Sequence, residues 1–203
     1  MLLVRHALTA TTGTVLPGRA PGLHLSAKGR EQADAVAARM RGLRRLTAVY
    51  TSPMERAQET AAPVARAFGL TACVEAGLTE CDFGEWTGRR LRELYRKPEW
   101  KAVQRYPSGF RFPKGESFPE MQTRVATTLG ELVARHPGET IVAVSHGDPI
   151  RVAVALALGT PLDLFQRIAI LPASITAVAY GASGPRVLAV NSLGDDLAAL
   201  LSR

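Results

Sequence analysis

Apolar side chains recur along this chain in two rhythms. Short uninterrupted runs, LLVRH at 2–6, AVYTS at 48–52 and TIVAVSHG at 140–147, predict strands buried on both faces. TACVE at 71–75 predicts a shorter one. Between the strands, apolar residues return every three or four positions, as a helix with one buried face requires. LSAKGREQADAVAARMRGL at 25–43 is the first such segment, with Ser26 placed to cap it. Pro53 opens a second that continues through ERAQET, and Pro63 predicts a kink or a division before Gly69. A third runs from about Ser117 to His136, and DPIRVAVALALG at 148–159 is a fourth, closed by Gly159. ITAVAY and RVLAVN, joined by Gly-Ala-Ser-Gly-Pro, predict an antiparallel hairpin at a sheet edge. Alternating strands and helices predict an α/β fold, a three-layer α/β/α sandwich with a mostly parallel central sheet. No repeat, low-complexity tract or linker breaks the pattern, so residues 1–203 are expected to form a single domain. Residues 76–116 follow neither rhythm and are expected to form an irregular cap inserted over one end.

In open α/β sheets ligands sit in the crevice beyond the carboxyl ends of the strands. LLVRH ends there on Arg5 and His6, and IVAVSHG on His146 and Gly147, so both imidazoles are expected to face one pocket. A lone histidine is more often an ordinary hydrogen-bonded residue, but two at equivalent strand ends point to a site. Arg5 matches the planar geometry of phosphate, and Gly147 allows close backbone approach. Arg56, one turn into the helix after AVYTS, adds a second guanidinium beside amides that favour an anion. Taken alone it would read as an exposed helix arginine. His24 reads as an exposed loop residue, and His136 as a helix C-terminal residue facing the dipole.

LLVRHALT, TSPMERAQET, LTECDFGEWTG, PKGESFPEMQTRV and VAVSHGDPIR, in that order and at these intervals, resemble the histidine phosphatase superfamily, in its phosphoglycerate mutase-like branch 1. The resemblance runs to about residue 192 and implies a phosphoglycerate mutase-like fold. It implies that His6 takes the phosphoryl group as nucleophile, that Arg5 and Arg56 hold the phosphate, that His146 is the second pocket histidine, and that Glu80 is the proton donor. Thr12 stands where many members carry Asn, which implies a phosphate contact. Ala7, Leu8 and Thr9 depart from the glycine, often followed by Glu-Thr, that usually comes after the first Arg-His. The SHG ending resembles the mostly cytoplasmic branch.

Composition narrows the partners. The net charge of +7 lies wholly between Arg89 and Lys114, where nine basic residues meet two acidic ones. The plainer reading of this segment is a solvated helix face; the functional one is a cap that draws phosphorylated substrates to the mouth. A charge confined to one segment makes nucleic acid an unlikely partner. No apolar run is long enough to span a membrane, and the N-terminus lacks a secretion signal, so a cytoplasmic enzyme is expected. Cys73 and Cys81 form no metal-ligand spacing and read as reduced and structural. The expected state is monomer or homodimer.

The chemistry expected of this set is hydrolysis of a small-metabolite phosphate monoester through phosphohistidine, with no metal and no cofactor. Two guanidinium forks neutralise and orient the dianion, and their charge is expected to keep His6 unprotonated. Glu80, beside arginines, is expected to be ionised until the arriving phosphate raises its pKa. His146 is expected to donate to the equatorial oxygens. A phosphoglycerate-type phosphomutase is the alternative, and a noncatalytic phosphate- or polyanion-binding module is the alternative of another class. AVSHG approximates the serine-hydrolase elbow, but no histidine follows His146 to complete that triad.

Overall fold

The apolar runs settle where two-sided hydrophobicity places them, in the middle of a six-stranded sheet. The computed structural model describes residues 1–194. In chain order the elements are β1 (Leu2–Arg5), α1 (Ala27–Met40), β2 (Ala48–Thr51), α2 (Glu55–Ala67) and β3 (Ala72–Val74). Then come the short helices α3 (Leu91–Leu94) and α4 (Pro98–Arg105), followed by α5 (Phe118–Arg135), β4 (Ile141–Ser145), α6 (Gly147–Leu158), β5 (Ile175–Gly181) and β6 (Gly184–Ser192). The sheet order is β3-β2-β4-β1-β5-β6. The first four are mutually parallel, and β5 and β6 add the antiparallel hairpin at the edge. The expectation of one domain over 1–203 includes residues 195–203, which lie outside the described residues.

Side chains of a strand alternate between faces, and the two faces feed separate cores. Leu2, Val4, Val49, Val142 and Val144 pack against α1 and α2. Leu3, Tyr50, Ile141 and Ala143 pack against α5 and α6. This is the three-layer sandwich, and each fully buried Val or Leu contributes about 1.5–3 kcal/mol by leaving water. Helix ends follow local chemistry. The Ser26 side chain accepts from Gly29 N, and Ser117 and Glu120 form a reciprocal capping box. Gly159 closes α6 in the left-handed conformation, φ 68°.

Two expectations need correction. Pro63 does not divide α2: the helix runs on from Glu55 to Ala67, with Thr60, Ala61, Val64 and Ala65 buried on both sides of the proline. Residues 76–116 are not irregular, since they contain α3, α4 and three short 3-10 turns. The dense charge of LRELYRKPEWKAVQR hides an amphipathic pattern in which Leu94 and Val103 are buried. Aromatic rings complete this small core, with Phe83, Phe110 and Phe118 all contacting Phe112 edge-on at 4.9–5.3 Å. Gly84, at φ +49°, lets the chain pass backbone to backbone over residues 113–115; a Cβ there would lie 2.0 Å from Pro113 O. Cys81 is buried and free, as read, but Cys73 is exposed on β3 and packs no core.

Candidate active site

Register brings the two histidines to one level. Arg5 lies opposite Ser145 in the parallel β1–β4 pair, and His6 N donates to Ser145 O at 2.9 Å. The next residues in each chain, His6 and His146, therefore leave the sheet side by side, their rings 5.1 Å apart and at 61°. Strand β2 ends at the same level, where Ser52 N donates to Val144 O. Its hydroxyl lies 2.7 Å from His146 Nε2. Arg56 follows in the first turn of α2 and is completely buried.

The protein fixes each ring. His6 Nδ1 lies 2.8 Å from Ala7 O, a partner that only accepts, so Nδ1 carries the proton and the Nε2 lone pair is free. Arg56 Nη2 donates to Gly18 O at 2.7 Å and to His146 Nδ1 at 3.2 Å. That leaves His146 Nε2–H as the donor to Ser52 Oγ. Ala7 has no positive φ, so its methyl is accommodated without strain, and its N–H donates to Thr60 Oγ1. Arg5 donates to Ile170 O at 2.7 Å. Arg5 Nε, Arg56 Nε and Arg56 Nη1 are buried without an acceptor among the described residues. Unpaired buried donors of this kind carry a desolvation penalty of about 1–3 kcal/mol or more each, and an anion would relieve it.

A cavity of about 370 Å³ opens above these residues. Arg5, His6, Thr12, Glu80 and Gly147 line it, while Arg56 and His146 lie beneath with no exposed surface. Thr12 Oγ1 accepts from Thr9 N and contacts Thr9 Oγ1, so it ties down its own loop as well as lining the cavity. Gly147 opens α6, and Gly147 and Asp148 at its N-terminus line the cavity. Close approach does not demand glycine at 147, because a Cβ would meet the Arg5 guanidinium at an ordinary 3.6 Å.

Electrostatics alter two expectations. His6 is held neutral with its pKa pushed down to about 3, but burial is the larger cause and Arg56 and Arg5 follow. His146 is pushed down as well, again by burial first and then by His6 and Arg56. Glu80 is not an ordinary ionised carboxylate beside arginines. Burial and then Asp148 raise its pKa to about 7, outweighing the Cys81 amide, Arg56 and Arg5. The desolvation of the charged form had no signature in the sequence.

Several participants were missed in the sequence reading. Ser52 was legible in principle, since it ends a strand just as His6 and His146 do. Glu116 and Arg124, in PKGESFPEMQTRV, hold the segment bearing Glu80. Arg124 donates to Gly77 O, Thr79 O and Glu80 O and pairs with Glu116, and Arg19 grips Glu80 O and Glu116 from the other side. No spacing rule would have found that network. His136 caps α5 as expected and contacts the Tyr50 hydroxyl and Glu139, while His24 pairs with Glu59 at the surface.

The sequence profile described as histidine phosphatase superfamily (branch 1) matches residues 1–193. The chain belongs to that superfamily. Among curated members, bifunctional protein Rv2228c of Mycobacterium tuberculosis is 32% identical over 198 residues, covering 96% of this chain and 54% of that protein. The chain thus spans about half the length of this relative. Phosphoserine phosphatase 1 of Hydrogenobacter thermophilus is 34% identical over 81% of this chain and 79% of its own. Among solved histidine phosphatases, mycobacterial glucosyl-3-phosphoglycerate phosphatase Rv2419c superposes with TM-score 0.85 at 25% identity, over 95% of this chain and 98% of that one. Among the described residues no helix is long and apolar enough to cross a membrane.

Proposed function

We propose that this histidine phosphatase hydrolyses phosphate monoesters of small metabolites through a phosphohistidine on His6. The observation that carries the reading is the neutral His6 ring beside two guanidinium groups, Arg56 buried and Arg5 half-buried, that retain three buried nitrogens without a partner among the described residues. In this reading Arg5 and Arg56 clamp the phosphoryl group and cancel its charge, with the α6 amides at Gly147 and the Thr12 hydroxyl at its edge. His6 Nε2 bonds to phosphorus as the ester P–O bond breaks, and Glu80 gives its proton to the departing oxygen. Water then attacks the phosphohistidine and returns a proton to Glu80, releasing inorganic phosphate and neutral His6. A pKa of about 7 keeps a large share of Glu80 protonated before substrate arrives.

His146 acts as a donor only after its proton changes nitrogen. Ser52 allows this, because a hydroxyl can accept from Nε2–H or donate to Nε2. With Ser52 donating, Nδ1–H turns to a phosphoryl oxygen as Arg56 does the same. Likeness to phosphatases supports hydrolysis over return of the group to a retained acid. Metal independence and a cytoplasmic setting belong to the same reading.

Rapid quench with ³²P-labelled substrate tests it. Wild type is expected to accumulate an acid-labile, alkali-stable adduct that His6→Asn lacks, with turnover reduced by about 10⁴-fold or more. A turning-over enzyme with no such adduct would refute the proposal.

A further inference from the structure

Beyond the phosphate floor, the cavity has a wall whose chemistry selects the alcohol. Its apolar lining includes Leu16, Leu91, Tyr95, Trp100 and Val103. Trp100 is fixed by near-parallel stacking on Trp86, at 6.0 Å and 20°, and by the edge of Tyr95 at 4.9 Å. The remaining polar groups there include two uncharged amides, Gln104 and Gln166. Charge is scarce and already matched. Arg151 and Asp148 line the wall but pair with each other at 2.7 Å, and Arg151 Nε is held by Ile168 O. The other charged lining groups are Arg5 and Glu80, both belonging to the phosphate chemistry.

The basic segment does not alter this balance. None of the nine cations between Arg89 and Lys114 lines the cavity; the same helices turn Leu91, Tyr95, Trp100, Val103 and Gln104 toward it. A second anionic group on the substrate would therefore meet aromatic carbon, amides and two carboxyl side chains, and the one cation outside the phosphate site, Arg151, is already matched by Asp148. Leaving a charge unpaired in such a place is how a site rejects a competitor.

We propose that the preferred substrate is the phosphate monoester of an uncharged alcohol bearing an aromatic or heteroaromatic ring, with the ring against Tyr95 and Trp100. Phosphate esters that carry a carboxylate are disfavoured. The inference rests on the phosphatase reading above and narrows it.

The test compares kcat/KM for 2-phenylethyl phosphate and adenosine 5′-monophosphate with that for glycerol 3-phosphate, phosphoserine and 3-phosphoglycerate, all with unactivated alcohol leaving groups. The ring-bearing pair is expected to exceed phosphoserine and 3-phosphoglycerate by about 100-fold. Trp100→Ala is expected to lower the ratio of 2-phenylethyl phosphate to glycerol 3-phosphate by about tenfold, mainly through KM. Gln104→Arg, on the exposed side of α4 and no threat to folding, supplies the missing cation and is expected to raise phosphoserine turnover relative to 2-phenylethyl phosphate by about tenfold. Equal or better use of phosphoserine or 3-phosphoglycerate by wild type would overturn the inference while leaving the phosphatase reading intact. Absence of both phosphate release and the His6 adduct with every substrate would remove the reading itself.

Discussion

The floor and the wall of the cavity are built in opposite ways. The floor hangs from the ends of three parallel strands in register, and its two histidines and Arg56 are buried. The wall stands largely on two short helices and turns within 76–116, held by an aromatic cluster that runs into the core beneath α5 and α6 and by a polar network around Glu116. Backbone geometry thus places the groups proposed to handle a phosphate, which is the same in every substrate. Side-chain packing in the cap shapes the part that meets the alcohol, which differs between substrates. Glu80 belongs to both regions, because it sits in the cap yet, in the proposed reaction, acts on the bond at the floor.

Removing the Glu80 acid is the hardest test of that division. Glu80→Gln is expected to lower phosphorylation of an alkyl phosphate by about 10²–10⁴-fold while hardly affecting p-nitrophenyl phosphate, whose leaving group departs without a proton. Wild-type kcat/KM for alkyl phosphates should fall above about pH 7, and this alkaline limb should vanish in the variant. The sign for stability follows from the raised pKa. Folding favours the neutral carboxyl, so the group's stabilising effect is complete below the ordinary value of 4.5 and is lost as pH rises through about 7. The melting temperature of Glu80→Gln should therefore exceed wild type at pH 8 and not at pH 5. Equal slowing of both substrates would make Glu80 part of the floor only.

A smaller effect is expected one step back, at Arg124. This residue touches no reacting atom, but it fixes the carbonyls of Gly77, Thr79 and Glu80. Arg124→Gln is expected to slow alkyl phosphates by about tenfold, to displace the alkaline limb, and to affect p-nitrophenyl phosphate less. Uniform loss across substrates that tracks melting temperature would reduce Arg124 to a structural brace.

How far the sequence revealed each region follows from the same contrast. LLVRH and IVAVSHG placed His6 and His146 because strand ends are a backbone property, and apolar runs mark strands. Arg56, which taken alone read as an exposed helix arginine, was singled out by the family resemblance, and the structure buries it. The pKa of Glu80 was not, since it depends on burial contributed by distant parts of the chain and on Asp148. The helices of the cap were hidden for another reason: eleven charged residues between Arg89 and Lys114 mask the few apolar positions that turn inward. Ser52 was passed over because a serine at a strand end is common, and its meaning comes from His146 alone.

The mildest prediction concerns those charges. All of the nine basic side chains except Lys97 are exposed. Arg111 pairs with Glu120 and Lys114 with Glu85, which further reduces the field they project. They stand on the outside of the cap, so their contribution is long-range attraction of a dianion toward the mouth, without contact. Screening by salt acts over about 8 Å at physiological ionic strength, so such attraction weakens as salt rises. Raising ionic strength from roughly 0.05 to 0.5 M is expected to lower kcat/KM by about two- to threefold and to leave kcat unchanged. A fall of tenfold or more would give these cations a part in capture that the lining of the cavity does not assign to them, and the division between a charged floor and an uncharged wall would have to be redrawn.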